Sequence, residues 1–152
     1  MTTIALATTD DISALCQLLA VLFAQESEFT PNHEAQCRGL SQVIENNTIG
    51  HIFVARQQNK IVGMLSLLYT VSTALGGKVA LLEDMIVLPS YRNTGIGSLL
   101  LEHAIAFAQH NGCQRLTLLT DCANESAKRF YQRHGFISSS MIPLRLSLLE
   151  NA

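Results

Sequence analysis

Apolar positions along this chain alternate between short runs and helix-spaced stripes. Ile4 to Ala7 is a short apolar run that reads as a first strand. Asp10 or Asp11 can cap the helix behind it, where Ile12, Leu15, Cys16, Leu19, Leu22 and Phe23 recur at helical spacing. A second helix is predicted from Asn32 to Asn46, after Pro31, and the acidic stretch from Gln25 to Thr30 separates the two. Ile52 to Ala55 and Ile61 to Leu67 read as strands joined by a hairpin-length connection, and Gly76-Gly77 turns into a strand from Val79 to Leu88. A long helix follows from Ile96 to Gln109, with Ile96, Leu100, Ala104, Phe107 and Ala108 on one face and Asn111-Gly112 as its stop. Leu116 to Thr120 is apolar enough for a central strand. Asn124 caps a short helix with Ala127, Phe130 and Tyr131 turned inward and Gly135 closing it, and Phe136 to Ser140 and Leu144 to Leu149 would end the sheet. The order predicts an α/β protein of the α+β type: a mixed six- or seven-stranded sheet flanked by about four helices.

Length changes this picture little. At 152 residues, without repeats or composition breaks, the chain is expected to form a single domain over 1–152. Composition adds more, since only 14% of residues are charged while 48% are hydrophobic, against about 25% charged in typical soluble domains. An apolar surface patch used in self-association is expected, and with it a homodimer. A net charge of −2, with no cluster of Lys and Arg among aromatics, disfavours nucleic acid. No basic leader precedes an apolar core at the N-terminus, and no apolar stretch reaches the ~18 residues that span a bilayer, so a cytoplasmic protein without membrane association is expected. Cys16, Cys37, Cys113 and Cys122 form no Cys-x-x-Cys pair and the five histidines show no ligand spacing, so no metal is expected.

The candidate chemistry begins at Arg92-Asn93-Thr94-Gly95-Ile96-Gly97, a glycine-bearing loop between the Val79 to Leu88 strand and the long helix. Such a loop turns backbone N–H groups outward at the positive end of a helix dipole, where they can hold a pyrophosphate. A P-loop would need Gly-Lys-Ser/Thr, and Gly97-Ser98-Leu99 has no lysine. A dinucleotide fingerprint would need a third glycine where Leu100 stands. Arg-x-x-Gly-x-Gly remains. With Leu82-Glu83-Asp84-Met85-Ile86-Val87 before it and the run from Asn124 to Phe136 after it, the pattern resembles the Gcn5-related N-acetyltransferases over nearly the whole chain. Leu-Glu-Asp before the loop and Asn-x-x-x-x-x-Phe-Tyr after it look most like the diamine and thialysine acetyltransferase branch. The chain departs from the family's usual loop in having Asn93 and Thr94 where glycine and basic residues are common.

The resemblance implies acetyl-coenzyme A as acyl donor, its pyrophosphate cradled by Arg92, Asn93, Thr94, Gly95, Ile96, Gly97 and Ser98. The backbone of Met85, Ile86, Val87 and Leu88 would pair with the pantetheine amides, and Asn124 would bind the pantetheine arm or cap its own helix. Acetyl transfer to an amine needs a neutral nitrogen, a stabilised oxyanion and a protonated leaving thiolate. Glu83 is the first candidate for a carboxylate acting through water, because a charge inside so apolar a run is costly without a partner or a role. Asp84 would contact the substrate amine, yet alternation along a regular strand points it to the opposite face, and only a bulge aims both at one cleft. Tyr131 is the candidate general acid, since a phenol of pKa about 10 can protonate a thiolate without being ionised at neutral pH. Glu26 and Glu28 are candidates for attracting a cationic acceptor. The expected function is transfer of an acetyl group to a primary amine of a small molecule in a ternary complex. The alternatives are a non-catalytic module that binds or senses acyl-coenzyme A, and a protein N-acetyltransferase.

Overall fold

The computed structural model describes residues 1–26 and 32–149. The chain divides into two compact units, Met1–Leu119 and Thr120–Ala152.

The first unit is built on a five-stranded sheet in the order β1 (Thr2–Leu6), β2 (Gly50–Gln57), β3 (Lys60–Ser72), β4 (Gly77–Val87) and β5 (Leu116–Leu118). The first four strands run antiparallel to their neighbours, and β5 lies parallel to β4. Helices cover both faces. On one side α1 (Ile12–Gln25) and α2 (His33–Ile44) bury Leu15, Leu19 and Leu40 against Ile52, Val54, Met64 and Ile86. On the other, α3 (Ile96–His110) sets Phe107 edge-on to Phe53, with ring centroids 5.1 Å apart. With both faces covered, β3 reads as an almost unbroken apolar run and is buried from Ile61 to Leu67. Local chemistry fixes the ends: the Asn32 side chain accepts the Ala35 N–H at the start of α2, and Asp11, before α1, accepts both from Thr8 N–H and from the Arg56 guanidinium.

The second unit contains α4 (Glu125–Arg133), whose first turn is capped by Asn124 accepting from Ala127 N–H at 3.1 Å. The Phe130, Tyr131 and Phe136 rings pack edge-to-face behind it, half-buried rather than fully inward.

Three expectations change. Among the described residues the sheet has five strands, not six or seven, because 136–140 and 144–149 join no ladder. Apolar alternation selects a face for a strand but supplies no partner edge; here Ile142, Leu144, Leu146 and Leu148 alternate yet stay 77%, 88%, 84% and 89% exposed. The strand after α3 is three residues long, half-buried and last in the order rather than central. Finally, α2 ends at Ile44, short of Asn46. Among the described residues no helix is long and apolar enough to cross a membrane.

Candidate active site

The acid pair sits on an irregularity of β4. Ser66 pairs with Glu83 and Met64 with Ile86, so the single residue Leu65 on β3 faces two, Asp84 and Met85, on β4. This is a β-bulge. Asp84 takes the extra bend at φ 52°, in the left-handed region that Asp tolerates better than most side chains. Its consequence is the one that regular alternation forbids: Glu83 and Asp84 both line the same cavity.

That cavity, about 370 Å³, lies between α1, α2 and the sheet, within the size range of small-molecule sites. Leu19 and Phe23 from α1, Leu40 and Val43 from α2 and Ile52 and Leu68 from the sheet give it apolar walls. Its polar groups are few. Glu83 is exposed, while Asp84 is half-buried and its carboxyl is pushed up to about 6, first by burial and then by the negative charges of Glu83 and Glu26. A hydrogen bond with Ser66 pulls the other way. Glu26 thus acts on the same carboxyl from the end of α1, whereas Glu28 lies outside the described residues.

Gln36, which no sequence motif marks, also lines the cavity. Its Nε2 is buried without a hydrogen-bond partner among the described residues, a condition that calls for an explanation. The available signal was its spacing, since Gln36, Leu40 and Val43 form one i, i+4, i+7 stripe with a polar residue at its start.

Beyond the bulge, β4 leads into the glycine loop. The β4–β5 ladder ends at Leu82↔Leu118, so β5 does not pair with the edge of β4 from Glu83 to Val87. Met85, Ile86, Val87 and Leu88 lie along that splayed stretch, with Ile86 and Val87 still paired to β3 and Leu88 N–H donating to the Val62 carbonyl at 2.8 Å. Arg92 is exposed and donates from Nε to the Val87 carbonyl at 2.9 Å, which ties the loop to the strand end. Asn93 adopts φ 62° and Gly95 φ 87°; asparagine stands where the family often has glycine because it too enters the left-handed region. The Thr94 hydroxyl donates to the Tyr91 carbonyl. Gly95 caps α3, whose first-turn N–H groups, at Ile96, Gly97 and Ser98, have no carbonyl four residues back within the helix. A Cβ at Gly95 would meet no atom within 4 Å, so its backbone faces open space.

Asn124 and Tyr131 belong to the second unit. Asn124 caps α4, and Tyr131 is half-buried beside Phe130 and Phe136. The four cysteines are free, with Cys16 buried, Cys37 and Cys113 half-buried, and Cys122 exposed.

The model of the acetyltransferase (GNAT) family matches residues 14–136, a span that holds the acid pair, the glycine loop and the Asn124 to Phe136 run. The chain belongs to that family. As a GNAT protein it is an acetyltransferase, and the mixed sheet with four helices is the family's fold. The "uncharacterized N-acetyltransferase YhfO" of Bacillus subtilis strain 168 is 29% identical over 133 residues, 86% of each chain. An aminoalkylphosphonate N-acetyltransferase of Salmonella typhimurium is 28% identical over 133 residues, 88% of this chain and 83% of that protein. In fold, the chain is similar to a "predicted acetyltransferase with acetyl-CoA" from Clostridium acetobutylicum, with a TM-score of 0.80 at 20% identity over 99% of this chain and 98% of that one.

Proposed function

We propose that this chain moves the acetyl group of acetyl-coenzyme A to a primary amine of a small molecule, by direct transfer in a ternary complex. The observation that carries the reading is the bulge that turns Glu83 and Asp84 into one cavity beside a splayed strand edge. The backbone N–H groups of the loop from Asn93 to Gly97, with Arg92 and Ser98 at its two ends, receive the donor's pyrophosphate, and the 85–88 backbone receives the pantetheine amides.

The acceptor enters as an ammonium ion of pKa about 10 and must lose a proton before its nitrogen can attack. Two carboxylates draw the cation in, and its charge relieves their mutual repulsion. Sequence favours Glu83 as the water-linked base. Burial favours Asp84, whose carboxyl titrates near the working pH and so combines an ionised fraction at neutrality with useful basicity. We assign Asp84 as proton acceptor through water and Glu83 as the charge that holds the ammonium, with Glu26 adding to the field; Glu28 keeps its expected role in cation attraction. The nitrogen lone pair then forms the C–N bond, the nitrogen loses its remaining surplus proton to solvent, the tetrahedral adduct collapses, and the C–S bond breaks. Tyr131 protonates the departing thiolate and regains its proton from solvent, an assignment carried by the motif match and by phenol chemistry.

Gln36 narrows the acceptor. A buried amide N–H on the cavity wall is satisfied by an acceptor that carries an oxygen besides its amine. The Salmonella relative, named for aminoalkylphosphonates, is consistent with that class. Thiol release from acetyl-coenzyme A, measured across diamines, amino acids, aminoalkylphosphonates and short peptides, tests this. Oxygen-bearing small amines are expected to lead, and Gln36→Leu to erase their advantage over plain alkylamines. Turnover of peptides alone would establish a protein acceptor instead. Donor binding with no turnover on any acceptor would favour a sensing module. We also propose a cytoplasmic homodimer; the exposed apolar alternation from Ile142 to Leu148 supports the self-association, and mass measurement in solution tests the dimer.

A further inference from the structure

Cys16 on α1 and His33 and Cys37 on α2 come together on the side of the sheet that holds the cavity. Their ligating atoms, two sulfurs and one imidazole nitrogen, all lie within 4.8 Å of one another. His33 and Cys37 are four residues apart, on one face of the helix, and His33 Nε2 sits 3.6 Å from Cys37 Sγ. Zinc bonds of about 2.3 Å to sulfur and about 2.0 Å to nitrogen, opened to a tetrahedral angle, put the two ligand atoms about 3.5 Å apart. The observed separation meets that requirement before any ion is bound.

We propose that Cys16, His33 and Cys37 form a zinc site that ties α1 to α2. The donor set of two thiols and one imidazole, without a carboxylate, selects a borderline-soft cation over magnesium or calcium. Three protein ligands leave the fourth tetrahedral position for water. Cys16 is buried, Cys37 half-buried and His33 exposed, so the cluster has a closed floor and an open mouth through which an ion can enter. On binding, each thiol gives up its proton to solvent and forms one S–Zn bond, while the imidazole binds neutral through Nε2. No Cys-x-x-Cys spacing marks this site, because its ligands come from two helices and the local pair is His33-x-x-x-Cys37.

The site has a bearing on the acceptor cavity. α2 supplies Ala35, Gln36, Gly39 and Leu40 to its wall, and Gln36 directly precedes a proposed ligand. Zinc would therefore hold the wall in register with α1, making bound metal a structural clamp rather than a participant in acetyl transfer.

The test uses the full chain, reduced, stripped with chelator and titrated anaerobically with Co²⁺ as the probe. The proposal expects saturation at a single equivalent, a thiolate-to-cobalt charge-transfer band and the visible bands of tetrahedral cobalt, all bleached by an equivalent of Zn²⁺. His33→Ala, at an exposed position that leaves the core intact, should raise the metal dissociation constant about tenfold or more. Cys37→Ser should remove about half of the charge-transfer intensity, since one of the two thiolates is lost, whereas Cys122→Ser should leave it unchanged. Circular dichroism checks that each variant is folded. Absence of saturable binding, or binding that His33→Ala and Cys37→Ser both leave intact, would overturn the site.

Discussion

Replacing Asp84 by Asn should make the protein more stable and far less active. Asp84 is pushed from its ordinary 3.8 up to about 6 by burial beside Glu83 and Glu26. Between about pH 4 and 6 the native chain therefore holds a proton that the unfolded chain has released, so stability falls as pH rises through that window and stays lower above it. The full rise corresponds to about 3 kcal/mol at neutral pH, an upper bound because water reaches a half-buried carboxyl. Asn keeps the shape, can accept from Ser66 and never ionises. Asp84→Asn should then gain about 1–3 kcal/mol at pH 7 to 8, or about 2–4 °C in Tm for each kcal/mol in a chain of this size. The gain should fade to nothing as pH drops below about 4. Urea denaturation of both proteins at intervals from pH 4 to 8 measures it. A variant no more stable than wild type at pH 7, or a difference that does not change with pH, would refute the buried, charge-crowded environment assigned to Asp84. Turnover of the same variant should fall about 100-fold, with the wild-type acid limb near pH 6 lost.

Three other substitutions probe the remaining parts. Tyr131→Phe should lower turnover about tenfold or more while donor affinity, read by calorimetry with coenzyme A, survives; unchanged turnover would remove Tyr131 from the mechanism. Gly97→Glu puts bulk and negative charge at the start of α3 and should weaken coenzyme A binding about tenfold or more, since the pyrophosphate meets like charge there; wild-type affinity would mean the loop holds no phosphate. Asp11→Ala removes both 2.9 Å contacts to Arg56 Nη2 and the acceptor for Thr8 N–H, and should cost about 2 kcal/mol in denaturation without changing KM for either substrate.

Much of this was legible in the sequence, for physical reasons that differ by element. α3 is legible at both ends because its apolar stripe and the Asn111-Gly112 stop agree, and Asn124 is legible as a cap because its short side-chain amide reaches the N–H groups of the turn that follows. The glycine loop was located by its position between a strand and a helix. The bulge was not legible, since alternation assumes a regular ladder and a single residue at φ 52° breaks it. The segment from 136 to 149 has strand-like alternation, but pairing is a property of two strands and the pattern describes one. Gln36 and the Cys16, His33, Cys37 cluster depend on how α1 and α2 pack, which periodicity on either helix alone does not contain.

The proposed reaction acetylates a small oxygen-bearing amine in the cavity lined by Glu83 and Asp84. Purified wild-type protein with acetyl-coenzyme A and an aminoalkylphosphonate, followed by thiol release and by mass of the product, tests it most directly. Thiol release that depends on the amine and an N-acetylated product are expected, with near-complete loss of both in the Glu83→Gln, Asp84→Asn double variant. Amine-dependent turnover that the double variant retains would contradict it.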